Sequence, residues 1–330
     1  MALVLAVFSA TLICGAGGAR ANCDPDETVY SLGLPQLSGQ SKRDEVVKAF
    51  AQAVDAALQG RACLSVKSSS TLYDDDATPA LLADAALELA IVPLERLTAY
   101  SEQLIVFALP FAFRDRLALQ RFLDDPVRVT LFAPLSERGL TSLALIHDGF
   151  IQMSASRPLH LPKDLAGLRI RRADAPDLTS RTDLLGGSAV DIADGDIAPA
   201  LAARQVEAIT ASISDIASGK IDQVLDGVTL SNHRYSGYVL LASRKWWDRL
   251  EEASKAQMQQ AAARAADQAN EQTFSSEEQA MLDILRRGRP VRLLTAAQRD
   301  KWLEVLLPMW ERVNGDAAIM SAIRRANAMP

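Results

Sequence analysis

Along this chain the apolar positions switch between a period near two and a period near four. Short alternating or continuous apolar runs, "VYSLGL" (29–34), "CLSVKS" (63–68), "LELAIV" (87–92), "LIVFALP" (104–110) and "SLALI" (142–146), read as strands. Between the first two lies "SKRDEVVKAFAQAVDAALQG", where Val46, Phe50, Val54 and Leu58 recur every fourth residue. Ser41 and Asp44 suit the start of that helix and Gly60 its end. "TPALLADAA" and "RLALQRFLDD" read as further helices. Alternating strands and helices favour parallel α/β layers.

A second block of the same kind begins near Gly149, with strands "LRIRRA", "SAVDI" and "VEAITAS" and helices "PDLTSRTDLLGG" and "DIAPALAARQ". "GYVLLAS" (237–243) is one more strand. From Trp246 to about Arg287 the sequence is rich in Ala, Gln and Glu, without Pro or Gly. It reads as one helix roughly 60 Å long, or two joined end to end, enough to bridge two domains. No repeat or low-complexity linker separates the halves, so the chain is expected to cross between them more than once.

The first residues, "MALVLAVFSATLICGAGGARA", combine an apolar stretch, small residues and an Ala-x-Ala site ending at Ala21. They read as a signal peptide cleaved after Ala21, with export to the periplasm, and Cys14 lacks a good lipobox. No later apolar run approaches the ~18 residues of a membrane helix. Cleavage leaves about 309 residues, more than one core usually accommodates, so two domains are expected. Loss of Arg20 takes the formal charge from -6 to -7, which argues against a nucleic-acid partner. Three His and three Cys, with no C-x-x-C or H-E-x-x-H spacing, leave no metal signature and suggest no cofactor. No G-x-S-x-G elbow supports a hydrolase, so no catalytic residue is assigned.

The stretch "DLAGLRIRRADAP" carries the most chemistry. Leu168 and Ile170 alternate with Arg169 and Arg171, which puts a guanidinium at the carboxyl end of a half-buried strand, where ligands of open α/β sheets sit. A planar guanidinium binds a carboxylate through two parallel charge-assisted hydrogen bonds. The alternative is an arginine paired with Asp174 or with solvent; Arg169 and Arg172 read as solvated.

Taken in order, "VYSLGL", "GRACLSV", "AALELAIVP", "VFALPFAFRD", "DGFIQMSASRPLHLPKDLAGLRIR", "LLGGSAVDI" and "NHRYSGYVLLASRKWWDRL" resemble the periplasmic solute-binding subunits of TRAP (tripartite ATP-independent periplasmic) transporters. The resemblance implies an α/β fold of two domains with a ligand cleft between them and a long bridging helix. Domain I would take residues 22–148 plus 237–276, and domain II 149–236 plus 277–330, with the helix at about 246–287 serving both. It implies a monomer that captures a small organic acid and hands it to the small and large membrane subunits. A binding protein that signals to a partner would share the fold, as would a receptor that has lost its ligand.

In this family the arginine ending the G-L-x-x-R strand pairs with the ligand carboxylate, and here it is Arg171. A second arginine often found in the segment "DGFIQM" is replaced by Ile151, and the asparagine of a D-G-x-E-N pattern by Ala211. The helix start often reading S-E-x-Y is Gly195-Asp196-Ile197-Ala198. Asp174 and Asp194 fall at pocket positions, although Asp194 and Asp196 also read as helix caps. Tyr238 lies near the cleft or in the core; Gln36 and Pro93 end strands that face the cleft from domain I. His147 and Asp148 mark the hinge, and Trp246 and Trp247 read as packing residues. Export places Cys23 and Cys63 in an oxidising compartment, and neighbouring parallel strands would hold them at one edge, so a disulfide is expected. The competing reading is a free Cys23 with Cys63 buried as a small hydrophobe.

Overall fold

The computed structural model describes residues 28–34, 50, 52, 54, 62–68, 75–172, 182–311, 313 and 315–328. One sheet runs through the molecule, from β1 (Thr28–Leu34), β2 (Ala62–Ser68), β3 (Leu89–Pro93), β4 (Leu140–Ala155) and β5 (Arg169–Arg172) to β6 (Ser188–Asp191), β7 (Ala208–Ser212), β8 (Val228–Ser243) and β9 (Val291–Leu293). Its order is β2-β1-β3-β8-β4-β7-β5-β6, with β9 beside β8. The outer strands are parallel, as alternation with helices predicts: β1 with β2 and β3 on one wing, β5 with β6 and β7 on the other. The centre is antiparallel, because the 16-residue strands β4 and β8 each run through both wings. Alternating patterns cannot reveal this, since the expected pieces "SLALI" and "GYVLLAS" are only parts of these strands.

One expected strand is corrected. "LIVFALP" lies in 3-10 turns over Glu102–Ala108, with Leu104, Ile105, Val106 and Phe107 all buried. A continuous apolar run records burial on every side, and that condition is met by packed turns as well as by a central strand. Here the run enters a cluster of aromatics, with Phe107 edge-on to Phe122.

Each wing is covered on both faces, making two lobes. In the first lobe one core holds Val92, Phe107, Phe122, Val239 and Leu241, and the other holds Leu32, Phe50, Leu64, Ile91 and Leu240. In the second, Met153, Ile170, Ala208 and Trp302 form one core, and Ile209, Ile213, Ile216 and Val228 the other. The long helix α1 (Glu252–Arg286) places Met258, Ala261, Ala262, Ala265 and Ala269 in the first lobe and Ala280 and Ile284 in the second. It starts later than the pattern suggested, because Arg244–Trp247 forms a separate turn capped by the Ser243 hydroxyl. Trp246 packs edge-on to Tyr30, as a packing residue should. The C-terminal helix α2 (Ala317–Ala328) returns to the first lobe, where Ile319, Ala322 and Ile323 join the Phe107 core, whereas the family resemblance implies a place for 277–330 in the second. Among the described residues no helix is long and apolar enough to cross a membrane.

Where β4 passes between lobes it carries an extra residue. His147 faces Gly237 and Gly149 faces Ser236, so Asp148 bulges out and its carboxylate accepts from the Ser236 hydroxyl at 3.0 Å. Helix α1 satisfies the backbone around the bulge. Asn270 accepts from the His147 amide and donates to Leu145 O, Thr273 donates to His147 O, and Glu277 accepts from the Phe150 amide. Gly149 has φ +99, which favours glycine, and a Cβ there would displace the Glu277 carboxylate. Cys63 opens β2 and is disulfide-bonded; Cys23, its expected partner, lies outside the described residues.

Candidate functional site

Strand direction creates the cleft. The parallel strands of the first lobe run along β4, whereas those of the second run against it, so the two sets point their carboxyl ends at each other. β3 ends at Pro93, opposite Tyr238; β7 ends at Ser212, level with Ile151 and Arg234. Four residues of β8 separate those levels, about 14 Å. The floor of the gap is the stretch 147–151 of β4 and 234–238 of β8.

Register joins three expected site residues in one row. Directly opposed residues share a face, and so do residues two apart along an unbroken strand. Pro93 opposes Tyr238, β8 continues on the same face through Ser236 to Arg234, Arg234 opposes Ile151, and Ile151 opposes Ser212. Tyr238 also contributes to the first-lobe core, so its two readings describe two sides of one ring position. Ala211 opposes Gln152 instead, one step out of the row, and packs with Ile209 and Ile213.

Arg171 sits one residue from the end of β5, opposite Val190, and is 8% exposed. Its neighbour Ile170 enters the Trp302 core, so alternation sends the arginine to the other face, where its Nε donates to Ile192 O at 3.0 Å. That bond braces the guanidinium near the end of β6. Arg169 and Arg172 are spent elsewhere, on Glu207 at 3.3 Å and Asp191 at 2.9 Å, and both are exposed. Asp194 opens a 3-10 turn, Asp194–Asp196, and its side chain is outside the description, as are Gln36 and Asp174 entirely. Asp196 precedes the helix Ile197–Ala202 but makes no side-chain cap, contrary to the capping expectation.

Two residues escaped the sequence reading. Ser212 ends β7 and caps the next helix, accepting from the Asp215 amide and donating to its carboxylate at 2.8 Å. Arg234, 8% exposed, lies at the second-lobe end of the floor, level with Ile151 and Ser212. The period-two spacing of Arg234, Ser236 and Tyr238 was available as a signal, but it placed them on a strand without saying that the strand lines a cleft.

Behind the floor, His147 is buried with a satisfied ring: Nδ1 bonds the Tyr235 hydroxyl, and Phe274 packs against it. Burial, then the nearby Arg116 cation, pushes its pKa down to about 4. Burial, with Asp148 and Glu277 adding to it, holds Tyr235 well above the ordinary phenol value. The floor therefore carries neutral rings at neutral pH. Among the described residues no cluster of His, Cys, Asp or Glu could hold a metal ion.

Two α/β lobes whose strand ends meet over a shared crossing floor define a cleft-type binding protein. The model of the DctP family, bacterial extracellular solute-binding protein family 7, matches residues 36–316, and the chain belongs to that family. A C4-dicarboxylate-binding periplasmic protein, DctP, from Vibrio cholerae is 28% identical over 311 residues, covering 94% of each chain. A TRAP periplasmic solute binding protein from Ochrobactrum anthropi superposes with TM-score 0.82 at 22% identity, over 91% of this chain and 96% of that one. Another from Shewanella oneidensis, with bound succinate, gives TM-score 0.79 at 23% identity, over 91% and 99%. The structural likenesses show the fold; the family match makes this a solute-binding protein of transport.

Proposed function

We propose that the protein captures a small organic acid in the cleft and delivers it to the membrane subunits of a TRAP transporter. The observation that carries this reading is Arg171, a braced, buried guanidinium beside the carboxyl end of a strand that opens on the cleft. Its fixed fork suits a carboxylate held in one orientation. The Vibrio relative's C4-dicarboxylate and the Shewanella protein's succinate support this ligand class. Cleavage after Ala21 releases the protein into the periplasm, where it works as a monomer. Contacts from both lobes let the ligand favour the closed form, since a ligand shifts that equilibrium only by its differential affinity. The Asp148 bulge and the Asn270, Thr273 and Glu277 braces are where the lobes swing.

The test is calorimetry on mature protein with succinate, malate and sugar acids. Arg171→Ala should abolish binding with the thermal melt preserved, and Arg171→Lys should recover little, because an ammonium cannot supply the paired bonds. Near-wild-type affinity in the alanine variant refutes the assignment.

A further inference from the structure

The segment "ALPFAFRD" (108–115) lies outside the floor of the cleft, yet its side chains divide between the lobes. Leu109, Ala112 and Phe113 belong to the first-lobe core around Phe107 and Phe122, whereas Phe111 belongs to the second-lobe core with Met153, Ile170 and Trp302. Phe111 has φ +60, a left-handed conformation that a bulky side chain rarely adopts. Its backbone is fastened from three sides. The Phe111 amide donates to His233 O on β8 at 2.8 Å. From the second lobe comes Arg299, on the helix Ala296–Leu306 that supplies Trp302 and Leu306 to the core; it donates to Phe111 O and to Arg114 O, each at 3.1 Å. Its guanidinium also lies 5.2 Å from the centre of the Phe111 ring. From the first lobe, Asn327 of α2 donates to Ala112 O at 2.7 Å and accepts from the Arg114 amide at 3.0 Å. Residues 111–114 are therefore tied to both lobes.

We infer that this turn is a noncovalent tie between the lobes, and that Arg299 and Phe111 are positioning residues, which set how the second lobe meets the first without touching the ligand. The location supports the role. His233 precedes Arg234, at the second-lobe end of the floor, so the tie sits beside the crossing strands. A contact close to a hinge axis travels little when two lobes rotate, and it can hold through opening and closing. What it restricts is sliding of one lobe past the other, which would carry Arg171 out of line with the strand ends of the first lobe. Phe111 is a plug in one core, and the carbonyls that Arg299 holds belong to a turn anchored in the other, so the sliding is resisted in both directions. Burial lowers the Arg299 pKa to about 10, so the fork is charged at neutral pH and its bonds to the two carbonyls are charge-assisted.

The positioning role rests on the lobe closure and carboxylate binding proposed above, and a ligand-free measurement separates the two. Spin labels at Val129→Cys in the first lobe and Leu293→Cys in the second, both exposed positions, report the lobe-to-lobe distance distribution by pulsed electron resonance. The labelled mature protein is compared with Arg299→Gln, Arg299→Lys and Phe111→Gly in the same background, with thermal melts checking the fold. Phe111→Gly keeps the φ of the turn and removes the plug. Without ligand, Arg299→Gln and Phe111→Gly should broaden the distribution, and Arg299→Lys, which keeps the charge, should broaden it less. Calorimetry with succinate, malate and galactonate should show about tenfold weaker binding in the two broadened variants, because a smaller share of the molecules holds the competent setting. A distribution unchanged in Arg299→Gln overturns the tie. Broadening with unchanged affinity overturns the positioning role. Should Phe111→Gly fail to fold, the two Arg299 variants carry the test. Wild-type protein that binds none of the three acids overturns the carboxylate function, while the ligand-free distances still decide the tie.

Discussion

His147 is expected to make the crossing between the lobes acid-sensitive, and the size of the effect follows from its surroundings. The ring is 8% exposed, its Nδ1 engaged by Tyr235 from β8, with Phe274 of α1 against it and the Arg116 cation nearby. Asp148 beside it and Glu277 on α1 bear on Tyr235. Folding lowers the histidine pKa from 6.5 to about 4, so the unfolded chain takes up the proton more readily than the folded one. The neutral ring's contribution is complete above 6.5 and is lost as pH falls toward 4. At about pH 5 the loss comes to about 2 kcal/mol, and it approaches about 3 kcal/mol below the folded pKa. Urea unfolding of the mature protein between roughly pH 7 and pH 5 measures it. His147→Gln keeps a hydrogen-bonding group without a proton to gain; it should be less stable at neutral pH and show a shallower slope. Parallel losses in wild type and variant would refute the argument, because the slope would then belong to other groups.

The hinge is not the place where charge matters most to stability. Asp222 is fully buried and receives two bonds of 2.9 Å from Arg287 at the end of α1, tying that helix to the second lobe. Asp222→Asn should cost about 3–5 kcal/mol, read as a fall in melting temperature, because the arginine loses its counter-charge; a melt within error of wild type would refute it. The Cys63 disulfide is expected to run to Cys23. A non-reduced peptide map should contain that pair, and reduction should cost on the order of 3–4 kcal/mol for a loop of about 40 residues; two freely alkylated thiols would exclude it.

Much of this molecule is legible in local pattern. β1, β2, β5, β6 and β7 fall where alternation put them, because each is an edge or wing strand whose two faces see different surroundings. The long helix is legible because alanine and charged residues tolerate no other regular structure over that length. Arg171 is legible because a strand, a charge and a turn coincide within a few residues. What local pattern could not distinguish was burial by turns from burial by strands, hence the 3-10 turns at Glu102–Ala108, or the destination of the last helix, α2.

By itself, then, the sequence determined the class of fold, the family's motifs and the place of an arginine near a strand end, all of which reside in stretches short enough for the chain to meet itself locally. The tertiary structure alone decided the cleft. That β3 and β7 end facing each other, that β4 and β8 cross as an antiparallel pair, and that Arg234 lies between Ile151 and Ser236 are matters of register between strands far apart in the chain. Register is chosen by which faces bury together once the whole sheet has assembled, and no single segment contains that information.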